Sequence, residues 1–492
     1  MSLAVPDAAP QPAMPTALPS LAALLHNPIL NTDSYKSSHF LQYPPDANAM
    51  FSYIESRGGL YDKTVFFGLQ MLLKEYLCRP IDLTMIAQAK AFYSAHGEPF
   101  NEAGWRYILD AHAGYLPVRI RAVPEGTVTP TQQVLLTVEC EDPNAFWIVS
   151  WLETMLLRLW YPITVATQSW HIRQTLRAAL LHSSDDLSQL PFKLHDFGAR
   201  GVSSAESAAI GGAAHLVSFM GSDTVLGVMA ANVYYHDSMA AFSVPAAEHS
   251  TVTAWGADHE IDAYRNMLKQ FGKPGAIVSV VSDSYDLFAA LAMWGGTLKQ
   301  NVIDSGAMLV IRPDSGDPAT IVVQCLKALD TSFGTTLNSK QKKVLNHVRV
   351  LQGDGIDAQS ISVILDAIDH AGFAADNLVF GMGGALLQQV NRDTQRFAMK
   401  CSAIRVGTLW RDVWKDPVTD AGKRSKRGRL TLLKHRQTGA FKSVTLPLPN
   451  ASSEVSDDAT AWDEVLQTVF ENGRLLIDTT LADIRARAHG HE

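Results

Sequence analysis

An α/β fold built on a parallel sheet or barrel is predicted by three features of the middle of the chain. Four short β-branched runs, AIVSVVSDSYD (276–286), AMLVIRPDSGD (307–317), HVRVLQGDGID (347–357) and NLVFGMGGALL (377–387), each end in a polar or Gly-rich turn. The runs are almost continuously apolar, as strands buried on both faces are. Helix-like stretches such as AQSISVILDAIDHAG (358–372) separate them, which is the alternation of βα units. FKLHDFGARG (192–201) fits the same scheme earlier in the chain.

The composition supports a large core. With 492 residues, 47% apolar and 18% charged, the chain is long enough for two domains or one elaborated barrel. A net charge of −8 argues against nucleic acid or anionic lipid as a partner and favours small polar substrates. The four cysteines (Cys78, Cys140, Cys325, Cys401) lie far apart, with no C-x-x-C pair. Neither a disulfide framework nor a zinc site is suggested, and a reducing, cytoplasmic compartment fits. Residues 1–26 are rich in Ala and Pro and precede the first Lys or Arg, Lys36, so a disordered tail is expected there rather than a signal peptide. AFWIVSWLETMLLRLWYPITVA (145–166) is interrupted by Glu153, Arg158 and Pro162, and reads as a buried helix rather than a membrane span of roughly 20 apolar residues.

In parallel α/β folds the active site gathers beyond the carboxyl ends of the strands. Asp283, Arg312, Asp314, Asp354 and the Gly383-Gly384 pair all fall there. The turns QGDGID and FGMGGALL let backbone N–H groups approach phosphate oxygens, although a turn that merely needs glycine looks the same. Arg312 beside Asp314 offers a guanidinium for phosphate and a carboxylate for Mg²⁺, or else an ordinary ion pair. FSVPAAEHSTVTAW (242–255) puts Glu248, His249 and Ser250 together at a strand end or turn, a pattern shared by a catalytic and a structural histidine. The basic cluster Lys423, Arg424, Lys426, Arg427 and Arg429 reads as a polyphosphate funnel or a solvated loop.

Longer motifs in a fixed order carry a resemblance. NTDSYKSSHFLQYPP (31–45), SYIESR, VFFGLQ, WYPITVAT, KLHDFGARGVSS, SVPAAEHSTVTAWG, VSVVSDSYD, IRPDSG, QGDGID, FGMGGALLQ, WKDP (414–417) and KRSKRGRL are similar to those of the type II phosphoribosyltransferases, in a bacterial-type form. This is the family of nicotinamide and nicotinate phosphoribosyltransferases. The resemblance implies an irregular TIM-barrel-like (β/α) domain over 181–390. It would be packed on an α+β domain made from both chain ends, 27–180 and 391–492. It also implies a homodimer with shared active sites. The implied reaction makes nicotinamide mononucleotide and pyrophosphate from nicotinamide and phosphoribosyl pyrophosphate with Mg²⁺, with nicotinate as the alternative base.

The same resemblance implies roles. Phe197 and Tyr35, the latter from the second subunit, would sandwich the pyridine ring, with Arg200 and Arg312 near the ring and the phosphoribosyl group. Asp223 would accept from the carboxamide, and so favour nicotinamide over nicotinate. Arg57, Arg392 and Lys400 of the partner would surround the pyrophosphate, with Arg312, Asp314, Gly353, Asp354, Gly383 and Gly384 on the ribose and phosphates. Lys415 and Lys423 would form a phosphate funnel. His249 would be phosphorylated by ATP, its ring oriented by Glu248 or Asp283. Three departures from the family pattern stand out: only GGLYDK lies between Arg57 and Thr64, Ala398 replaces a serine, and Met382 and Ala385 alter the Gly-rich turn while Gly383 and Gly384 remain.

Overall fold

The computed structural model describes residues 24–419, 424–446 and 461–490. Its centre is a six-stranded parallel sheet: β1 (Leu194–Asp196), β2 (Gly221–Ser222), β3 (Ile277–Val281), β4 (Met308–Arg312), β5 (Val348–Gln352) and β6 (Leu378–Met382). Their order across the sheet is β2-β1-β6-β5-β4-β3. All four β-branched runs of the sequence are strands, and their interiors are buried on both faces.

The sheet curls until a further segment bridges its two edges. Phe242 pairs with Gly221 beside β2, and Ala246 pairs with Ser279 of β3, both in parallel sense. Four backbone hydrogen bonds hold this seam: Phe242 N–H to Met220 O (2.8 Å), Ser222 N–H to Phe242 O (3.2 Å), Ser279 N–H to Pro245 O (3.0 Å) and Ala247 N–H to Ser279 O (2.9 Å). FSVPAA is thus the closing stave of an irregular barrel, and Glu248-His249 emerge at its carboxyl end.

Three of the strand-to-helix loops share one device, an Asp at each end of a four-residue stretch. The second Asp caps the next helix: Asp286 before Leu287–Gly295, Asp317 before Pro318–Phe333 and Asp357 before Ala358–His370, each accepting from backbone N–H groups of the first turn. The first Asp of each pair (Asp283, Asp314, Asp354) is left at the strand end.

The chain ends build a seven-stranded antiparallel sheet. Its order is Leu409–Asp412, Phe397–Val406, Ala47–Ser56, Val134–Cys140, Arg119–Ala122, Gln467–Glu471, Arg474–Leu475. A second core lies under it, where Trp105, Trp147 and Trp151 pack edge to face at 5.0–5.9 Å. Helix Trp160–Ser183 runs from that core (Ile163) into the barrel core (Ile172, Leu176, Leu180), and the last helix, Leu481–His489, packs Leu481 and Ile484 on the barrel. The stretch read as one buried helix is three in succession, Ile148–Trp151, Glu153–Leu157 and Trp160–Ser183. Among the described residues no helix is long and apolar enough to cross a membrane.

Lys193, just before β1, is buried. It donates to the carbonyls of Ala375, Asp376 and Leu378 at 3.0–3.1 Å, so it ties the entry to β1 to the entry to β6. Burial pulls its ammonium down to about 7. Lys193→Met leaves three carbonyls short of a donor, and is expected to cost about 2–4 kcal/mol of stability in urea unfolding. A loss below about 1 kcal/mol would show that these carbonyls are satisfied without it.

Candidate active site

At the barrel mouth, the first Asp of two adjacent loops meets the end of the closing stave. His249 is the first residue of helix His249–Thr253. Its Nδ1 lies 3.0 Å from Ser284 Oγ, and its Nε2 is 3.3 Å from Asp314 Oδ2 and 4.0 Å from Asp283 Oδ1. The Asp283 side chain is buried, and its Oδ2 accepts from Asp314 N–H (2.8 Å) and Ser315 Oγ–H (2.6 Å), which fixes the Asp314 loop. Its Oδ1 has no hydrogen-bond partner. The ring therefore sits between a hydroxyl on one nitrogen and two carboxylates on the other. Glu248, the other residue expected to orient this ring, faces its own helix. Its carboxylate accepts from Ser250 Oγ–H, its N–H donates to Thr251 Oγ1 (3.2 Å), and no bond to His249 is formed.

Arg312, at the end of β4, lies 3.7 Å from Asp314, and its Nε is a buried donor without an acceptor. Phe197, after β1, donates its N–H to Met382 O (3.0 Å). A Cβ on Gly381 would lie 2.0 Å from the Phe197 ring, so glycine is required for the ring to rest on β6. A Cβ on Gly353 would face both Phe197 (3.6 Å) and Asp314 (3.8 Å), which places ring and carboxylate on two sides of one turn. Asp354 follows, exposed, and a Cβ on Gly384 would meet nothing within 4 Å, an open backbone turn of the kind that receives phosphate. Asp223, after β2, is exposed; Ser243 Oγ–H donates to its Oδ1, and His195 Nε2 is 3.8 Å away. Arg200 is exposed on the short turn Ala199–Gly201.

The remaining predicted residues lie elsewhere, Lys400 in a strand of the antiparallel sheet, Arg57 and Lys415 just after two of its strands, and Tyr35 and Arg392 on short helical turns. Arg57 holds Glu55 through Nε (3.2 Å), while its buried Nη2 has no partner. Lys400, paired in register with Tyr53, sits below the ordinary lysine range, mainly through burial, against which Glu153 works, with Arg57, Lys36 and Lys415 adding to the fall. Tyr35 is exposed, with the Lys36 ammonium 5.5 Å from its ring centre. Arg392 lies on the turn Arg392–Thr394, whose Thr394 O accepts from Leu60 N–H (3.0 Å), so the short GGLYDK connection is pressed against it. Lys423 lies outside the described residues. Its neighbours are engaged internally: Lys426 with Glu55, Arg429 with Glu139 (2.9 Å) and Arg424 with Asp416 (3.5 Å).

Ser284, Ser315, Ser243, Lys36 and Glu153 are not site candidates on sequence alone. The two serines beside Asp283 and Asp314 had a signal, the repeated Asp-Ser at two strand ends; Lys36 and Glu153 join only through folding. A cavity of about 740 Å³ opens behind the Gly384 turn, walled by Tyr161, Glu75, Tyr234 and Leu387, and holds none of the predicted residues.

A profile of the nicotinate phosphoribosyltransferase family matches residues 192–474, more than half of the chain and all of the barrel mouth. The chain belongs to this family. A nicotinamide phosphoribosyltransferase N-terminal domain profile matches residues 27–120, the part of this family member that carries Tyr35 and Arg57. A nicotinamide phosphoribosyltransferase of Xanthomonas campestris pv. campestris is 60% identical over 466 residues, covering 94% of this chain and 98% of that one. One from Acinetobacter baylyi is 31% identical, covering 94% and 97%. Among solved structures, the nicotinate-nucleotide pyrophosphorylase of Pyrococcus furiosus shares the family fold with a TM-score of 0.61 at 16% identity over 94% of this chain and 95% of that one. Human nicotinic acid phosphoribosyltransferase does so at 0.53 and 16% identity over 93% and 92%.

Proposed function

We propose that the chain makes nicotinamide mononucleotide and pyrophosphate from nicotinamide and phosphoribosyl pyrophosphate. The observation that carries this is Asp223. An exposed carboxylate, steadied by Ser243 and 3.8 Å from His195, whose ring in turn neighbours that of Phe197, accepts from an amide N–H and repels a carboxylate. The relatives named above point to the same base.

The chemistry follows from the two groups of residues. Phe197, with Tyr35 of a second copy, holds the flat ring so that its nitrogen attacks the anomeric carbon while the bond to pyrophosphate breaks and takes its electrons with the leaving group. Arg312 Nε and Arg57 Nη2 are buried donors that a phosphate would satisfy, and with Lys400 they stabilise the departing charge. Among the described residues no cluster of three or more His, Cys, Asp or Glu is arranged to hold a metal alone. A Mg²⁺ carried in by the pyrophosphate needs less, and Asp314 with the unpartnered Asp283 Oδ1 fits it. The ion supplies charge neutralisation of the leaving group.

His249 is read as the phosphate acceptor from ATP. Contacts to Ser284 at Nδ1 and to Asp314 at Nε2 orient the ring, a carboxylate holding one nitrogen leaves the other to attack a phosphoryl group, and 45% of the side chain is open to solvent. We place the enzyme in the cytoplasm, as a homodimer.

The test is product formation with nicotinamide and nicotinate in parallel, each with and without ATP. Nicotinamide is expected to be used and ATP to stimulate, whereas preference for nicotinate would overturn the Asp223 reading. His249→Ala is expected to abolish the ATP-stimulated increment and the acid-labile phosphoprotein formed from labelled ATP. A variant still labelled and stimulated would remove His249 from that role.

A further inference from the structure

We propose that Asp196 is a specificity-determining residue of the base pocket, tying the Phe197 platform to Asp223 and placing a second negative charge behind the carboxamide; this rests on Phe197 and Asp223 being the base site. Asp196 ends β1 and is fully buried. Its Oδ1 accepts from Gly198 N–H (2.7 Å), which shapes the turn that presents Phe197, and its carbonyl accepts from Asp223 N–H (3.0 Å). One residue therefore sets the spacing between the ring face and the amide acceptor. Asp196 also stands opposite Ser222 in the pairing of β1 with β2, one residue before Asp223.

The second carboxylate oxygen, Oδ2, is buried without a partner of good hydrogen-bond geometry. Burial pushes the Asp196 carboxyl up to about 6, opposed by the Gly198 N–H and the Thr224 hydroxyl and aided by the charge of Asp223. The other titratable groups around it are His195 on the same strand, His215 behind His195, and the Tyr161 hydroxyl. Burial holds both histidines below their ordinary values and the tyrosine above its own. Above pH 6 an entering carboxylate meets two negative charges and a neutral amide meets none to repel it. Below pH 6 Asp196 takes up a proton, one charge is lost, and discrimination between amide and acid narrows.

The experiment compares kcat/KM for nicotinamide and for nicotinate on both sides of pH 6 in the wild type, Asp196→Asn and Asp223→Asn. Asparagine keeps an acceptor for Gly198 N–H and removes the charge. The amide-to-acid preference of the wild type is expected to fall as pH drops through about 6. Asp196→Asn is expected to lower that preference about tenfold above pH 6 and to abolish its pH dependence. If Asp223→Asn alters the preference while Asp196→Asn and pH do not, the role of Asp196 is overturned. If neither substitution alters it, the base is not read at this end of the barrel, and the proposed function fails with it. Should Asp196→Asn fail to fold, a wild-type preference constant across pH 6 is sufficient to overturn the proposal.

Discussion

Replacing Asp314 by alanine is expected to lower kcat/KM for phosphoribosyl pyrophosphate by about a thousandfold or more. This carboxylate is the point where the barrel-mouth groups meet: it lies 3.3 Å from His249, 3.7 Å from Arg312, and beside Gly353 across from Phe197. Its backbone is fixed separately, by the Asp283 carboxylate on its own N–H. Removing the side chain therefore takes away a charge without releasing the loop, and the loss should appear in catalysis with little change in melting temperature. A fall smaller than about tenfold in a folded variant would show that this carboxylate does not meet the metal and phosphates.

Two inactive variants are expected to restore each other when mixed. Arg57→Ala disables the antiparallel-sheet cluster and Asp314→Ala the barrel mouth; each alone should be nearly silent. The groups that perturb Lys400 are Glu153, Arg57, Lys36 and Lys415, with no barrel-mouth residue among them. If a second copy brings its sheet cluster to the first copy's barrel, random re-pairing leaves about a quarter of the sites with both halves intact. Recovery of about that fraction after co-expression or subunit exchange is the expected result. No recovery would mean that one chain supplies both halves.

The barrel was legible because its strands are buried on both faces, so their sequence is a plain apolar run, and because each run ends in Asp, Gly or Ser at the functional end. The motif around His249 was harder. Its apolar residues are small (Pro245, Ala246, Ala247), so it reads as a turn, yet those residues let the segment lie flat between β2 and β3. Glu248 shows the limit of adjacency: it neighbours His249 in sequence but points along its own helix, while Ser284, 35 positions away, makes the contact. The basic stretch after Asp416 reads as free positive charge, but Lys426 and Arg429 are spent on buried glutamates that strand pairing brings to them. Long-range register, rather than local pattern, decides these cases.

The antiparallel sheet also sets a timetable for synthesis. Ser56 bonds to Gln395 across 339 positions, and strand Ala47–Ser56 takes Phe397–Val406 as its partner on that side. At about 5–20 residues per second, a ribosome needs tens of seconds to deliver that partner. In the interval the early strand has Val134–Cys140 on one flank, an open edge on the other, and every barrel stave emerging in between. All the barrel strands are thus made before the sheet can close, and the young chain carries an unpaired β edge that invites chaperone capture or mispairing until its last fifth appears.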